Sequence, residues 1–207
     1  FLYFFILKLL NFDRYNLFYL VILIDFFFMD IQKILTNDEL ILNPLRLEDF
    51  DVLFAIASDK LLWEQHPNRD RYKREVFEVF FEGAIQSKGA YSIIEKESGS
   101  IIGSSRYYDL NIEKNEIKIG YTFIARTHWG KGINQSLKRM MLEYIFQFVD
   151  NVIFHIGAQN IRSQKSIEKI GAKEIAREEV SYFGELPKLN VVYKIGKEAF
   201  IKDVMGV

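Results

Sequence analysis

The sequence predicts an α/β protein in which a mixed, mostly antiparallel central sheet carries helices on both faces. One observation is a series of strand-like segments separated only by short polar turns, which is typical of antiparallel meanders. The other is a strand, a long amphipathic helix and a further strand in succession, which is the order of a parallel crossover. Together they imply a mixed sheet whose apolar faces are covered by helices.

The first part of the chain is predicted to form one strand and two helices. The strand covers 39–46, where Pro44 favours an edge position or a bulge. A helix follows over 47–58, with acidic residues in its first turn. The second helix, over 73–87, carries apolar residues at helical spacing: Val76, Phe77, Phe80, Phe81 and Ile85.

The middle of the chain is predicted to form three strands joined by hairpins. They cover 90–96, 101–110 and 116–126, and polar turns separate them at 97–100 and 111–115. Because the turns are short, neighbouring strands are expected to pair antiparallel.

The last part of the chain begins with the clearest helix, over 131–148. Its apolar face consists of Leu137, Met140, Met141, Tyr144, Ile145 and Phe148. A strand over 152–156 completes the crossover, and a helix over 162–170 ends at Gly171, a residue suited to a C-terminal cap. The final strands are expected over 173–182 and 190–195.

Composition limits the possible functions. The 207 residues carry a net charge of −1, so bulk electrostatics give no reason to expect a nucleic-acid partner. There is no cysteine, which excludes disulfides and thiolate sites and fits a cytoplasmic location. The three histidines, His66, His128 and His155, lack metal-ligand spacing, so no metal is expected.

Residues 1–28 differ in composition from the rest of the chain, being rich in phenylalanine and aliphatic residues. Their longest apolar run, Leu17 to Ile24, is far shorter than the roughly 20 residues of a membrane-spanning helix. The preferred interpretation is that the native domain is 29–207, a single domain beginning at Met29, and that the upstream part is an apolar extension. The alternative is a peripheral membrane-associating segment.

Two glycines lie between a strand-like run and a strongly helical one, in Trp129-Gly130-Lys131-Gly132-Ile133-Asn134. Glycines at such a junction permit a tight turn and leave amide N–H groups uncovered by side chains. The helix N-terminus adds unpaired N–H groups and the positive end of its dipole. The pattern predicts a cradle for a phosphate or pyrophosphate, against the alternative of a plain strand–helix turn.

Several spaced motifs together resemble the GNAT N-acetyltransferases, and within them the ribosomal-protein alanine N-acetyltransferase (RimJ/RimL) branch. They are Lys118-Ile119-Gly120-Tyr121, His128 to Asn134, Asn160-Ile161-Arg162-Ser163, and Glu168 to Ala172. The resemblance covers about 39–195 and implies the GNAT-like acyl-CoA N-acyltransferase fold, with acetyl-CoA as the cofactor. It also implies an amine acceptor and a possible homodimer.

The resemblance also assigns cofactor-binding residues. The glycine loop would bind the pyrophosphate, with Gly132 at the family's first glycine position. Trp129 replaces the usual Gln or Arg, and Asn134 replaces the final small residue, where it could cap the following helix. The backbone of the preceding strand would hold the pantetheine. The full implied set is Phe123, Ile124, Ala125, Arg126, Trp129, Gly130, Lys131, Gly132, Ile133, Asn134, Asn160 and Ser163.

The sequence does not assign a residue as the general acid. Many relatives place a tyrosine seven residues after the asparagine that corresponds to Asn160, to protonate the leaving thiolate, but this chain has Ile167 there. Ser163 is one candidate donor; alternatively the thiolate leaves unaided, because a thiol with a pKa near 8.5 is already a modest leaving group. Asn160 and Ser163 can equally be a turn residue and a helix cap.

The general base must take a proton from an alkylammonium with a pKa of about 10. Relatives often carry a glutamate where this chain has Lys118. Glu116, two residues earlier on the same strand face, is the candidate catalytic base, and the alternative is a solvated carboxylate near a turn. Tyr121 would point to the other face unless a bulge intervenes.

The acceptor pocket is expected to involve Trp63, His66, Arg106 and Tyr108. Trp63 and Tyr108 could equally be packing residues. His128 is interpreted as structural or as a phosphate contact, and His155 as a satisfied core or edge residue.

The sequence thus predicts transfer of acetyl from acetyl-CoA to a primary amine by direct attack in a ternary complex. The acceptor could be a protein N-terminus, an amino acid, a polyamine or an aminoglycoside-like compound. The alternative is a regulatory module that binds acyl-CoA without turnover.

Overall fold

The computed structural model describes residues 30–182 and 185–205 of the chain. All the helices and strands in these ranges belong to one compact unit, Ile31–Val207. The predictions made for residues 1–28 lie outside the described residues. Within the described ranges, none of the helices combines the length and the apolar character that crossing a bilayer requires.

The sheet has eight strands in the order β1-β2-β3-β4-β5-β6-β8-β7. Every neighbouring pair is antiparallel except β5 and β6, which are parallel. The strands are β1 (Leu35–Thr36), β2 (Leu40–Pro44), β3 (Ala90–Glu95), β4 (Ile101–Asn111), β5 (Glu116–Ile124), β6 (Asn151–Gly157), β7 (Lys173–Val180) and β8 (Lys188–Gly196). The predicted mixed, mostly antiparallel sheet is confirmed.

Five α-helices accompany this sheet in the described residues: α1 (Phe50–Ala57), α2 (Arg74–Gln86), α3 (Ile133–Ile145), α4 (Ile161–Glu168) and α5 (Lys197–Met205). The crossover prediction is confirmed, since α3 connects the parallel strands β5 and β6. Strand β1 and helix α5 were not predicted. Helix α3 begins later than predicted because Gly132, at φ +81°, is its N-cap, and it ends at Ile145 instead of Phe148.

Helices cover both faces of the sheet, as consecutive residues of β4 demonstrate. Arg106 donates hydrogen bonds to carbonyl oxygens of α2, whereas the hydroxyl of Tyr107 donates to the Met141 carbonyl of α3 at 2.6 Å. Successive side chains of a strand point to opposite faces, so α2 and α3 lie on opposite sides. On the α2 side, the phenyl rings of α1 and α2 pack around the fully buried Phe77.

Strands β5 and β6 separate after a short paired stem. Their pairing is confined to Glu116–Lys118 against Asn151–Ile153. Beyond it, residues 119–124 of β5 and 154–157 of β6 line a cleft of about 510 Å³. The split leaves one backbone edge of each strand available to a ligand.

A bulge interrupts β5 beside this cleft. Ser104 pairs with Phe123 and Arg106 with Gly120, so that Tyr121 and Thr122 together stand opposite Ser105. Tyr121 has φ +52°, a left-handed conformation that a bulky side chain adopts only under constraint. The bulge anticipated as a possibility from the sequence is present, and Tyr121 lines the cleft.

Candidate functional site

The glycine loop closes one end of the cleft. Gly130 and Gly132 have φ of +77° and +81°, and a Cβ atom added at either position would meet nothing within 4 Å. No side chain caps α3 at Gly132. The first N–H groups of α3 are therefore without a side-chain cap, and the positive end of the helix dipole lies at this end of the cleft.

Asn134 does not cap α3, so that prediction is wrong. The N-cap is Gly132, and Asn134 is the second residue of the helix. Its Nδ2 donates to Ser166 Oγ of α4 at 2.7 Å, and its Oδ1 is buried without a partner among the described residues. Asn134 thus connects α3 to α4 at the cleft. Its unpaired oxygen can accept a hydrogen bond from a ligand.

Trp129 is held in place at the wall of the cleft. Its Nε1 donates to the Ile124 carbonyl oxygen at 3.0 Å, and Arg162 Cζ lies 3.8 Å from its ring centroid. Arg162 also bonds to Glu64 in the segment that follows α1. Arg162 was not predicted as a site residue, because a charged residue beside a helix start is usually solvated.

Asn160 caps α4 and lines the cleft. Its Oδ1 accepts the Ser163 N–H at 3.2 Å, so the expected helix cap is confirmed. Ser163 and Ile167 line the cleft as well. Because Ile167 has no proton to give, the wall contributed by α4 has no donor at the position where relatives carry tyrosine.

We expect Asn160→Ala to lower the free energy of unfolding by about 1 kcal/mol, because α4 loses its side-chain cap. The measurement is urea denaturation at pH 7. Asn160→Ser is the matched control, since serine can supply an equivalent cap, and it should recover most of the loss. Equal losses in the two variants would contradict the capping role.

The predicted cofactor residues divide into two groups. Those that line the cleft are Phe123, Ile124, Trp129, Gly130, Gly132, Ile133, Asn134, Asn160 and Ser163. Ala125, Arg126 and Lys131 are not among its lining residues. The Ala125 N–H donates to the Ile102 carbonyl oxygen, and Arg126 pairs with Asp59, lowering the pKa of that carboxyl.

The residues predicted to form the acceptor pocket also fall into two groups, those that line the cleft and one that does not. Trp63, His66 and Tyr108 line the end of the cleft beside the segment that follows α1. Arg106 is buried behind this wall, where it donates to the Gly83 carbonyl oxygen at 3.0 Å and stacks on the Tyr121 ring. Burial lowers the pKa of Arg106 to about 10. Arg106 therefore positions Tyr121 and does not itself line the cleft.

The His66 ring is held by the backbone of Asn68. Both the Asn68 N–H and the Asn68 carbonyl oxygen lie 3.0 Å from His66 Nδ1. Burial, and then the charge of Arg71, keep the pKa of His66 well below its usual 6.5. The ring is therefore uncharged at neutral pH.

Glu116 lies outside the cleft. It is the first residue of β5, opposite Asn111 of β4 and Asn151 of β6, in the paired stem below the split. It is not among the residues that line the cleft. Lys118, at the position where relatives often carry glutamate, donates to Asp109 at 3.0 Å.

His155 is not the satisfied residue that the sequence suggested. It lies on β6, lines the cleft, and its Nδ1 is buried without a partner among the described residues. A buried polar atom without a partner in a native structure calls for a ligand or a role.

Comparison with known proteins identifies the family. The family model described as "Acetyltransferase (GNAT) domain" matches residues 39–173, more than half of the chain. The chain belongs to the GNAT acetyltransferases. The curated relative "Uncharacterized N-acetyltransferase p20" from Bacillus licheniformis is 28% identical over 120 residues, which span 56% of this chain and 67% of the relative.

Solved structures share the GNAT fold. A GCN5-related N-acetyltransferase from Brucella melitensis aligns with a TM-score of 0.69 at 16% identity, covering 82% of this chain and 81% of that one. Spermidine N-acetyltransferase from Vibrio cholerae, solved with CoA and spermine, aligns at 0.58 and 17% identity over 80% of this chain and 99% of that one. GNAT enzymes use acetyl-CoA to acetylate amines.

A buried ion pair beside the aromatic side chains of the cleft was not predicted. Arg71, 2% exposed, donates through Nε and Nη2 to Glu185 Oε1, and its guanidinium also lies against the rings of Trp63, Phe80 and Tyr121. The two partners are 114 residues apart in sequence, and nothing local distinguishes them from surface charges.

Lys138 of α3 is a buried amine beside the bulge of this GNAT domain. It is 3% exposed, and Nζ donates to Ser105 Oγ at 3.1 Å and to Thr122 Oγ1. Burial lowers the pKa of Lys138 to about 7. Because Thr122 is a bulge residue and Ser105 stands opposite it, Lys138 fixes the bulge to α3.

We expect Lys138→Met to raise the free energy of unfolding by about 1–2 kcal/mol at pH 7, because methionine removes an amine whose charge is costly to bury. Between pH 7 and 10.5 the unfolded chain binds a proton at Lys138 that the folded chain does not. Wild-type stability therefore rises with pH over this window, and the advantage of the variant shrinks.

Urea denaturation at pH 7 and pH 9.5 measures this effect. Lys114→Met, in an exposed turn, is the control and should show no such pH dependence. An advantage of Lys138→Met that is the same at both pH values would contradict the assignment.

Among the described residues, no group of three His, Asp or Glu side chains is arranged to hold a metal ion.

Proposed function

We propose that this chain transfers the acetyl group of acetyl-CoA to a primary amine by direct attack in a ternary complex. The observation that carries the proposal is the split between β5 and β6, which runs from the uncapped glycine loop to a wall of aromatic side chains. Such a passage brings two ligands together within one site, and this proximity contributes much of the rate in reactions of this kind.

The residues present fit acetyl-CoA. The amides at Gly130 and Gly132 and the start of α3 suit a diphosphate, because open positive-φ glycines and an uncapped helix N-terminus leave donors free. The separated edges of β5 and β6 offer backbone groups to the amides of the pantetheine arm. Lys165 and Lys169 line the same cleft, and their ammonium groups can form charge-assisted hydrogen bonds with phosphate oxygens. When bound, acetyl-CoA supplies the acetyl thioester.

The acceptor end supports an amine of moderate size. Trp63, Tyr108, Tyr121 and Tyr182 provide apolar walls with polar tips, which orient a ligand by few hydrogen bonds. The ion pair of Arg71 adds a buried cation to this wall. We infer a protein N-terminus or a small-molecule amine, in line with the resemblance to the RimJ/RimL branch. Acetylation of a polyamine is a property of the neighbour from Vibrio cholerae, and this chain shares only 17% identity with it.

The experiment is release of free thiol from acetyl-CoA in the presence of a panel of amines: amino acids, short peptides with free N-termini, polyamines and aminoglycosides. The expected result is acetyl-CoA binding by calorimetry and amine-dependent thiol release with at least one class. Binding without release for every class would favour the acyl-CoA-binding module, which the family match does not favour. A homodimer and a cytoplasmic location are further predictions, tested by light scattering and by cell fractionation.

A further inference from the structure

His155 is a cleft residue with a ring nitrogen that lacks a hydrogen-bond partner among the described residues. Its side chain is 6% exposed, and Nδ1 is buried without a partner among the described residues. The residue stands on β6 past the point where β5 and β6 separate, and it lines the cleft. A buried imidazole nitrogen without a partner calls for a ligand or a functional role.

The side chain of His155 lies on the face of the sheet that meets the predicted acceptor pocket. Alternate residues of a strand share a face, so His155 and Gly157 point the same way. A Cβ atom at Gly157 would lie 2.2 Å from Pro67 Cγ, so this face contacts the segment that carries Trp63 and His66. Tyr182, another residue of the acceptor end, donates its hydroxyl to the His155 carbonyl oxygen at 3.3 Å.

A carboxylate defines which ring nitrogen carries the proton. His155 Nε2 lies 3.5 Å from Glu178 Oε1 of β7, so a proton on Nε2 faces the carboxylate. Nδ1 then carries the lone pair of the neutral ring. This is the arrangement in which a carboxylate orients a histidine and leaves its other nitrogen to accept a proton.

Burial keeps the pKa of His155 below its usual 6.5, so the ring is neutral near physiological pH. Burial has the largest effect and lowers the pKa, and Lys118 of β5 lowers it further. Glu178 of β7 and Asp109 of β4 act in the opposite direction, with smaller effects than burial. A neutral ring can accept a proton, whereas a charged one cannot.

We propose that His155 Nδ1 is the general base that takes a proton from the acceptor ammonium. The inference rests on the proposed function. The N–H bond of the ammonium breaks, the proton joins Nδ1, and the imidazolium faces Glu178. The lone pair released on the amine nitrogen attacks the thioester carbon and forms the C–N bond, while the C–S bond breaks and the sulfur leaves as thiolate. The thiolate takes up the second proton that the nitrogen loses, and the imidazolium passes its own proton to water.

Two other groups are less suited to this role. His66 Nδ1 is already engaged with the backbone of Asn68, whose N–H and carbonyl oxygen both lie 3.0 Å away. Glu116 lies in the paired stem of β5 and does not line the cleft. His155 is therefore the base that the geometry supports in place of the glutamate suggested by sequence.

The kinetic test compares wild type, His155→Gln and Glu116→Gln with the best acceptor found in the thiol-release screen. We expect His155→Gln to lower kcat/KM about 100-fold, in the range typical of a lost general base, and Glu116→Gln to lower it less than twofold. The kcat/KM of wild type should rise with pH through the pKa of His155, because the neutral ring is active. The variant should lack this rise.

A fluorinated counterpart of the acceptor, unprotonated at neutral pH, needs no base. For this amine His155→Gln should act nearly as fast as wild type. A purely structural role would slow both amines equally, and that result would overturn the proposal. So would a His155→Gln variant that matches wild type with the ordinary amine.

A measurement independent of activity is the tautomer of His155. The protein has three histidines, so nitrogen-15 spectra of histidine-labelled protein are simple, and His155→Gln assigns the signal. We expect the neutral Nε2–H form, and a neutral Nδ1–H form would overturn the proposal. If wild type releases no thiol with any amine, the proposed function fails together with the base. If it does, and His155→Gln is unaffected, only the base assignment fails.

Discussion

Gly132→Val is expected to weaken acetyl-CoA binding by roughly 10²–10⁴-fold. Gly132 holds φ +81° at the N-cap of α3, where a β-branched residue is strained and its side chain fills the open space over the amides. Loss of two hydrogen bonds to a charged diphosphate, at about 1.5–3 kcal/mol each, corresponds to this range. Isothermal titration calorimetry with acetyl-CoA measures the effect directly.

Gly99→Val is the matched control. Gly99 has φ +69° in the hairpin turn between β3 and β4, and a Cβ atom there also meets nothing within 4 Å. It is not among the cleft residues. Both variants should lose about 1–2 kcal/mol of stability from left-handed strain, but only Gly132→Val should lose affinity. Comparable losses of affinity would show that the effect comes from destabilisation of the fold.

Arg71→Met is expected to lower the free energy of unfolding by about 3–5 kcal/mol, because it leaves the carboxylate of Glu185 buried without its partner. Arg71 is 2% exposed, the Glu185 side chain is 10% exposed, and Glu185 Oε2 already lacks a partner among the described residues. The guanidinium of Arg71 also lies over the Phe80 ring, so its loss removes this packing contact. Urea denaturation at pH 7 gives the magnitude.

Two further variants separate charge from packing. Arg71→Met combined with Glu185→Gln should recover part of the loss, since no unpaired charge then remains buried. Arg74, three residues after Arg71 in the chain, forms an exposed pair with Asp51. Arg74→Met breaks this pair and should lower the free energy of unfolding by only about 0–1 kcal/mol. A single Arg71→Met variant as stable as Arg74→Met would mean that the ion pair is solvated in solution.

The parts of the fold that could be predicted depend on local periodicity. The apolar stripe that contains Phe77 and Phe80 predicts α2 correctly, because a helix with one buried face has apolar residues at every third or fourth position. Gly171, with φ +88°, follows α4 at the expected cap. The succession of strand, helix and strand at β5, α3 and β6 implied the parallel pair, because a crossover helix is the usual connection between parallel strands.

The parts that could not be predicted depend on contacts distant in sequence. The pairing of Arg71 with Glu185, and the hydroxyl partners of Lys138, arise only when the sheet and helices have assembled. The bulge at Tyr121 turns that side chain into the cleft, whereas strict alternation put it on the face opposite Glu116. Asn134 fits the usual choice for a helix cap, but the chain turns at Gly132 and places the asparagine two residues after the cap, inside the helix.

The most direct measurement of the central claim follows glycine amides during titration with acetyl-CoA. The chain has 12 glycines, so selective nitrogen-15 labelling of glycine gives a simple spectrum, which single glycine-to-alanine variants assign. We expect the Gly130 and Gly132 signals to move most, while Gly99 and Gly171 remain unchanged. Saturating acetyl-CoA that leaves Gly130 and Gly132 unmoved would contradict the claim that this loop binds the cofactor.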